Sequence, residues 1–408
     1  MRRVVITGMA GISPLGNDWT TVRGRLAAGR NGVRRLDAWA EYSGLNTQLG
    51  APAAPFDLPE HYGRKATRSM GRVALMATRT AELALEEAGL HGDATLRQGR
   101  VGIAYGSSSG SPEAFVDFCQ LLTGKSTAGL NANTYLKMMT QTAAVNIGVF
   151  LGITGRIIPI SSACTSGSQS IGYAYETLKA GKQIAMIAGG AEELNPSQAA
   201  VFDTLFATST RNQAPDTTPR PFDRDRDGLV IGEGACSLIL EELEHARARG
   251  ARIHAEIVGY GTNSDGVHVT QSNAETMRVA MELALEDAGL SPEAIGYISA
   301  HGTATLHGDV AEASAAARLF GTRTPISALK SYLGHTMGAC GALEAWLTIS
   351  MMSAGWFAPT VNLDAVDPAC AGLDHIRGSG RDLECAHVMC NNFAFGGINT
   401  SLIFRRWP

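Results

Sequence analysis

The sequence predicts a layered α/β protein made of two similar halves, and three features carry that expectation. Short apolar runs of strand character at residues 4–7, 101–105, 185–188, 237–240, 297–300 and 388–390 alternate with helical stretches, unlike an all-β or bundle fold. The segment Glu82-Leu-Ala-Leu-Glu-Glu-Ala-Gly-Leu90 returns as Glu282-Leu-Ala-Leu-Glu-Asp-Ala-Gly-Leu290, an offset of 282 minus 82, or 200 residues. In each copy a helix runs into Gly89 or Gly289, suited to the left-handed position that ends a helix, and a strand then runs into a glycine. Chance similarity of Ala/Leu/Glu-rich helices explains the repeat alone; duplication also explains the strand and glycine that follow. The halves are expected at residues 1–250 and 251–408, sharing one interface.

Each part of the chain fits this plan. With 408 residues, 45% hydrophobic and 18% charged, the chain can bury a large core. Lys+Arg 34 against Asp+Glu 38 gives a net charge of −4, so nothing in the global balance argues for a nucleic-acid or lipid-surface protein and any charge-guided partner must meet a local patch. The apolar run after the basic pair Arg2-Arg3 is too short for a signal segment or a membrane span, so a cytoplasmic protein is expected. Seven cysteines, with no Cys-x-x-Cys spacing and no clustered His, disfavour a metal centre and a disulfide framework. Residues 107–135 and 195–230 are rich in Ser, Thr, Asn, Asp and Pro and read as long excursions from the layers.

The run Ile158-Pro-Ile-Ser-Ser-Ala-Cys164-Thr-Ser-Gly-Ser-Gln-Ser-Ile171 reads as a strand, a turn of small residues and a helix, with Cys164 at the helix start. Exposed N–H groups and the helix dipole there favour the thiolate, which predicts a pKa below the reference of about 8.5. Ala163, Ser166 and Gly167 leave room for a thioester to approach. A free cysteine is more often plain core, and it is its company that singles out Cys164. His301 ends an apolar strand in Tyr297-Ile-Ser-Ala-His301-Gly-Thr-Ala-Thr305-Leu-His-Gly-Asp309, with the Thr303 and Thr305 hydroxyls in the turn. Ile326-Ser-Ala-Leu-Lys330-Ser-Tyr-Leu-Gly-His335-Thr-Met-Gly338 repeats the design before a helix over about 339–352. Asp309 and Glu312 are expected to pair with Lys330 and hold these loops. Near the end, Cys390-Asn-Asn-Phe393-Ala-Phe395-Gly-Gly-Ile-Asn399 offers paired glycines for close backbone approach and two phenylalanines to gate an apolar tunnel.

These four units, in this order, resemble the β-ketoacyl-acyl-carrier-protein synthases of types I and II, in the thiolase-like superfamily. The likeness spans nearly the whole chain, from Val4-Val-Ile-Thr-Gly-Met-Ala-Gly-Ile-Ser-Pro-Leu-Gly16 through Ser162-Ala-Cys-Thr-Ser-Gly167 and Arg220-Pro-Phe-Asp-Arg-Asp-Arg-Asp-Gly228 to Phe395-Gly-Gly397. It implies a duplicated five-layer αβαβα fold and a decarboxylative condensation on a carrier-bound acyl chain. By the resemblance Cys164 takes the acyl group, and His301 and His335 assist malonyl decarboxylation by stabilising negative charge on the thioester oxygen. Lys330, Asp309 and Glu312 match supporting positions. The Cys164 and Phe395 N–H groups match the oxyanion hole, with Phe395 the gate. Ser109 and Phe393 match the acyl pocket. Arg64, Lys65, Arg68 and Arg211 match carrier-docking positions.

No resident cofactor is implied, since phosphopantetheine arrives on the acyl carrier protein. A homodimer is implied, or a heterodimer with a chain-length-factor-like subunit. Leu306 replaces a usual Pro, Ala394 a usual Gly and Ser109 a bulky aliphatic residue, while Met138, Met139 and Thr140 alter another pocket segment. These departures admit a specialised polyketide or aryl polyene pathway beside fatty-acid synthesis. A thiolase would carry a second reactive cysteine where Phe395 stands. A nucleotide-binding loop is missing despite 47 glycines. A non-catalytic chain-length factor is the alternative that retention of Cys164, His301 and His335 opposes.

Overall fold

Ten strands of the structure, a computed structural model describing residues 1–408, form two sets of five that share one connectivity. The first set is β1 (Val4–Ile12), β2 (Val101–Gly106), β3 (Ile157–Ile160), β4 (Ala185–Glu192) and β5 (Gly234–Glu242). The second is β6 (Ala255–Ser264), β7 (Ile295–Ser299), β8 (Pro325–Ser327), β9 (His387–Ala394) and β10 (Ile398–Arg406). Their spatial orders are β3-β2-β4-β5-β1 and β8-β7-β9-β10-β6, the same permutation twice. The directions agree as well: β2 lies parallel to β3 and β4, as β7 does to β8 and β9, while every other neighbouring pair within a set is antiparallel.

The sets are not separate sheets. Val4, Val5 and Ile6 of β1 pair with Ile257, Glu256 and Ala255 of β6, joining the halves edge to edge; a two-residue strand, Asp374–His375, extends the far end to eleven strands. This closes one edge of each half without exposing unpaired backbone.

Helices complete five layers. α1 (Arg72–Glu87) and α4 (Thr142–Leu151) cover the first half, and α7 (Ala274–Ala288) and α8 (Leu306–Phe320) cover the second. Between the halves lie α5 (Ser166–Lys179) and α9 (Cys340–Ala354), packed on each other and on both halves. A helix covered on all sides must be apolar or small all round, and α9 is buried from Cys340 to Met352. The two cross where neither has bulk: a Cβ on Gly167 would stand 2.9 Å from the Gly338 carbonyl and 3.0 Å from the Ala342 nitrogen. The repeated segment falls on α1 and α7, whose ends run into Gly89 (φ +68°) and Gly289 (φ +65°).

The structure differs from the sequence reading in places. β6 and β10 were not foreseen, and the excursions contain α2 (Glu113–Gly124), α3 (Ala132–Met138) and α6 (Pro196–Asp203). Local Ser, Asn and Pro content hid α3 and α6, whose starts are capped by the Asn131 and Asn195 side chains. All seven cysteines are free, five of them buried. No helix is long and apolar enough to cross a membrane.

Candidate active site

Three turns at the inner ends of the duplicated strands bring Cys164, His301 and His335 together, with their ligand-capable atoms all within 4.8 Å of one another. Cys164 follows β3 in a short 3-10 turn that leads into α5. Its neighbour Ala163 holds φ at +50°, Ala304 in the His301 turn is at +63°, and Met337 after His335 is at +47°. Non-glycine residues in this region cost energy, and such strain gathers where the surrounding structure must aim a side chain.

Hydrogen bonding sets the proton on each imidazole. His335 Nδ1 accepts the Met337 N–H at 3.3 Å, leaving the ring proton on Nε2, which lies 2.9 Å from the Cys164 sulfur. His301 Nδ1 lies 3.1 Å from Lys330 Nζ, a group that can only donate, and 3.4 Å from Asn392 Nδ2. Both rings therefore carry their proton on Nε2. Burial, reinforced by the Lys330 charge, holds both histidines well below the usual imidazole range, so they are neutral donors.

Lys330 is itself buried and bonded at 2.5 Å to Glu344, whose second oxygen accepts Asn392 Nδ2 at 2.7 Å. Burial disfavours its charge, but Cys340 and Glu344 beside it outweigh that and raise its pKa. This corrects the expected pairing of Lys330 with Asp309 and Glu312. Glu312 instead accepts the His301 and Gly302 N–H groups, both at 2.7 Å, and Asp309 accepts those of Phe222 and Ala304 beside Arg226. Carboxylates on backbone donors fix the loop that carries His301.

The Cys164 thiol also departs from expectation. Burial pushes it up to about 11, against the pull of Lys330 and of the Phe395 and Cys164 backbone N–H groups. Desolvation outweighs the helix terminus because the sulfur is almost wholly buried at the base of its cavity.

Thr303 and Thr305, bonded through their hydroxyls at 2.9 Å, line the cavity over Cys164 together with Phe393 and Phe395. The Phe393 ring meets His301 edge-on at 6.0 Å, and Phe395 packs at 5.0 Å on Phe202 of α6. Ser109 stands outside that cavity. Its hydroxyl bonds to Glu192 at 3.3 Å and accepts from Gln198 at 3.2 Å, and the Met138 and Met139 carbonyls pack on the adjoining Gly110. Arg64, Lys65 and Arg68 are exposed on and after a helical turn, Arg64–Thr67, with no ion-pair partner. Arg211 is partly exposed and contacts its own chain: its guanidinium lies 3.4 Å from Asp227 and donates to the Asp225 carbonyl at 2.7 Å.

Sequence reasoning missed Glu344, Asn392 and Glu192. Glu344 lies inside a largely apolar helix and Glu192 ends an apolar strand, the signal that marks a buried polar group with a specific partner, while Asn392 is masked by Asn391 beside it. Glu192, without a cationic partner, accepts the Ser108 and Gly338 N–H groups at 2.8 and 3.1 Å and ties the turns behind Cys164 and His335 together.

The geometry has close counterparts. The family model for the beta-ketoacyl synthase N-terminal domain matches residues 1–246, and that for the C-terminal domain matches residues 254–364. A 3-oxoacyl-[acyl-carrier-protein] synthase 2 of Vibrio cholerae is 37% identical over 99% of both chains. The crystal structure of a beta-ketoacyl synthase from Burkholderia phymatum is 60% identical over the full length of both chains, with a TM-score of 0.99. The ishigamide ketosynthase/chain length factor structure is 31% identical over 100% of both chains, at a TM-score of 0.90. With its duplicated sheet, its Cys-His-His cluster and these matches along both halves, this chain belongs to the β-ketoacyl synthase family.

Proposed function

We propose that this chain is an acyltransferase that condenses malonyl-acyl carrier protein with an acyl group held on Cys164, releasing CO2 and 3-oxoacyl-acyl carrier protein. The observation that carries the reading is the pair of neutral imidazoles presenting Nε2–H beside a buried thiol. In the first step the Cys164 sulfur attacks the acyl thioester carbonyl, and the Cys164 and Phe395 N–H groups receive the developing oxyanion. The thiol proton leaves with the departing phosphopantetheine thiolate. Malonyl carrier protein then enters, and His301 and His335 donate to its thioester carbonyl oxygen. The C–CO2 bond breaks, its electron pair forms the enolate, and the enolate carbon attacks the Cys164 thioester. Collapse of that adduct breaks the C–S bond and returns Cys164 as thiolate, which takes back a proton.

The phosphopantetheine arm comes with the carrier, and no resident cofactor has a part in these steps. Phe115, Val116 and Leu122 on α2, Tyr135 on α3, Val149 on α4 and Ile157 on the edge strand β3 are exposed apolar groups on one side of the first half. That face supports a dimer, with a second copy or with a chain-length-factor-like subunit. Seven unpaired cysteines support a reducing, cytoplasmic setting. The acyl chain is a fatty or polyketide-type chain. The test is intact-mass detection of Cys164 acylation and of product, using malonyl carrier protein with saturated and aryl-polyenoyl carriers. Cys164→Ala is the control. Acylation by no substrate, with candidate partner subunits added, overturns the catalytic reading in favour of a non-catalytic partner.

A further inference from the structure

Of the fifteen exposed large apolar side chains, Val269 lines the mouth that leads to Cys164 and five more neighbour its lining residues along the chain. On one side are Val201, Leu205 and Phe206, on and just after α6, whose Phe202 lines the mouth. Facing them across the Phe395-Gly-Gly397 turn are Val267 and Val269, and Leu306 begins α8 between the lining residues Thr305 and Gly308. Val269 is tied to that turn by accepting the Gly396 N–H at 2.8 Å.

Phe206 is the most telling. It is 89% exposed, and its backbone sits at φ +53°, a conformation that a bulky residue adopts at an energetic cost. The turn is held by Phe206 N–H to Asp203 and Ala207 N–H to Phe202 at 2.9 and 3.0 Å, and the Ala207 carbonyl accepts the Leu229 N–H at 2.8 Å. A strained backbone that throws an aromatic ring into water is expected where the ring meets something else.

Charge at the mouth does not offer the same. Arg211 is outside the lining and lies 3.4 Å from Asp227, Asp265 adds an acid to the lining, and Lys65 and Arg68 open on a separate cavity with His61 and Glu82. A substrate on a tethered arm requires its carrier to stand on this rim while the arm reaches the sulfur. Resting on the condensing-enzyme reading, we infer that the carrier protein docks on this rim through apolar side chains of its own. Phe206 is the anchor, and charge plays the lesser part.

The test compares two forms of one electrophile. A chloroacetyl group on the phosphopantetheine arm of Vibrio cholerae acyl carrier protein, and the same group on free pantetheine, alkylate Cys164, each losing chloride and the thiol proton. The ratio of the two rates isolates the carrier's own contacts. In Phe206→Gly this ratio falls about tenfold, the effect of losing one well-buried aromatic anchor. The melting temperature holds or rises, because glycine accepts the left-handed backbone. In the native chain the ratio changes less than about threefold between low and high salt, as an interface not built on charge requires. An unchanged ratio in Phe206→Gly, a ratio near one in the native chain, or a steep loss with salt each overturns the docking inference. Failure of free chloroacetyl-pantetheine to alkylate Cys164 instead overturns the nucleophile on which it rests.

Discussion

Replacing Lys330 by alanine tests the central electrostatic arrangement, because this one side chain serves both His301 and Glu344. In the native chain Lys330 Nζ reaches Glu344 at 2.5 Å and His301 Nδ1 at 3.1 Å, with all three groups buried. Without it Glu344 keeps one donor, Asn392 at 2.7 Å, for a carboxylate that burial already pushes toward the neutral form. Breaking a buried pair by removing one partner costs roughly 3–5 kcal/mol, and that loss should appear in urea unfolding. Chemistry suffers separately. With its strong donor gone, Nδ1 can take the ring proton, and Nε2 then no longer donates to the enolate oxygen.

Loss of one preorganised oxyanion donor is worth about 10²–10³ in rate. Release of CO2 from malonyl carrier protein should fall by about that factor. Acylation of Cys164, which relies on backbone N–H groups, should fall by about tenfold or less. Removing Glu344 as well, in Lys330→Ala/Glu344→Ala, should recover part of the stability and none of the decarboxylation, since the stranded charge is gone but the donor is not restored. A folded Lys330→Ala protein that releases CO2 within about threefold of the native rate would refute the tautomer argument.

Three further outcomes are expected. With the thiol pushed up to about 11, iodoacetamide should alkylate Cys164 about tenfold faster per pH unit from about 7 to 10; a plateau below pH 9 would show a thiolate already formed. Because His301 and His335 are held neutral and well below their unfolded value of about 6.5, the unfolded chain takes up protons first as pH falls. Their contribution to stability is therefore complete above about pH 6.5 and declines below it, at up to ~1.4 kcal/mol per pH unit for each, and His335→Asn should show a shallower acid limb in pH-dependent unfolding. Gly167→Ala would press a methyl group against the Gly338 carbonyl and the Ala342 nitrogen, both backbone atoms, and should destabilise by about 1–3 kcal/mol; an unchanged urea midpoint would contradict the tight crossing of α5 and α9.

Much of this protein is legible without coordinates, for reasons that are local. A strand-to-helix turn of small residues around Cys164, and two strand ends carrying His301 and His335, can be seen in the sequence because turns are encoded by neighbours along the chain. Duplication shows because one short helix-ending segment, Glu82–Leu90, recurs almost unchanged 200 residues later at Glu282–Leu290. The alternating layers, the two similar halves and the family resemblance follow from these signals together, whereas the five-strand permutation of each half, with β6 and β10 in it, shows only in the folded sheet. Proton placement does not follow from them either, because it depends on partners far apart in sequence. Lys330 takes Glu344 rather than Asp309 or Glu312 only because the buried helix α9 turns that carboxylate toward it. Arg211 reads as a free cation until Asp227 is folded beside it, and the helix terminus at Cys164 predicts an acidic thiol until burial reverses the sign. Sequence by itself determined which groups are present and which turns carry them. Tertiary structure alone decided which charges meet, how dry the sulfur is and where each imidazole holds its proton, since desolvation and pairing are properties of the packed interior.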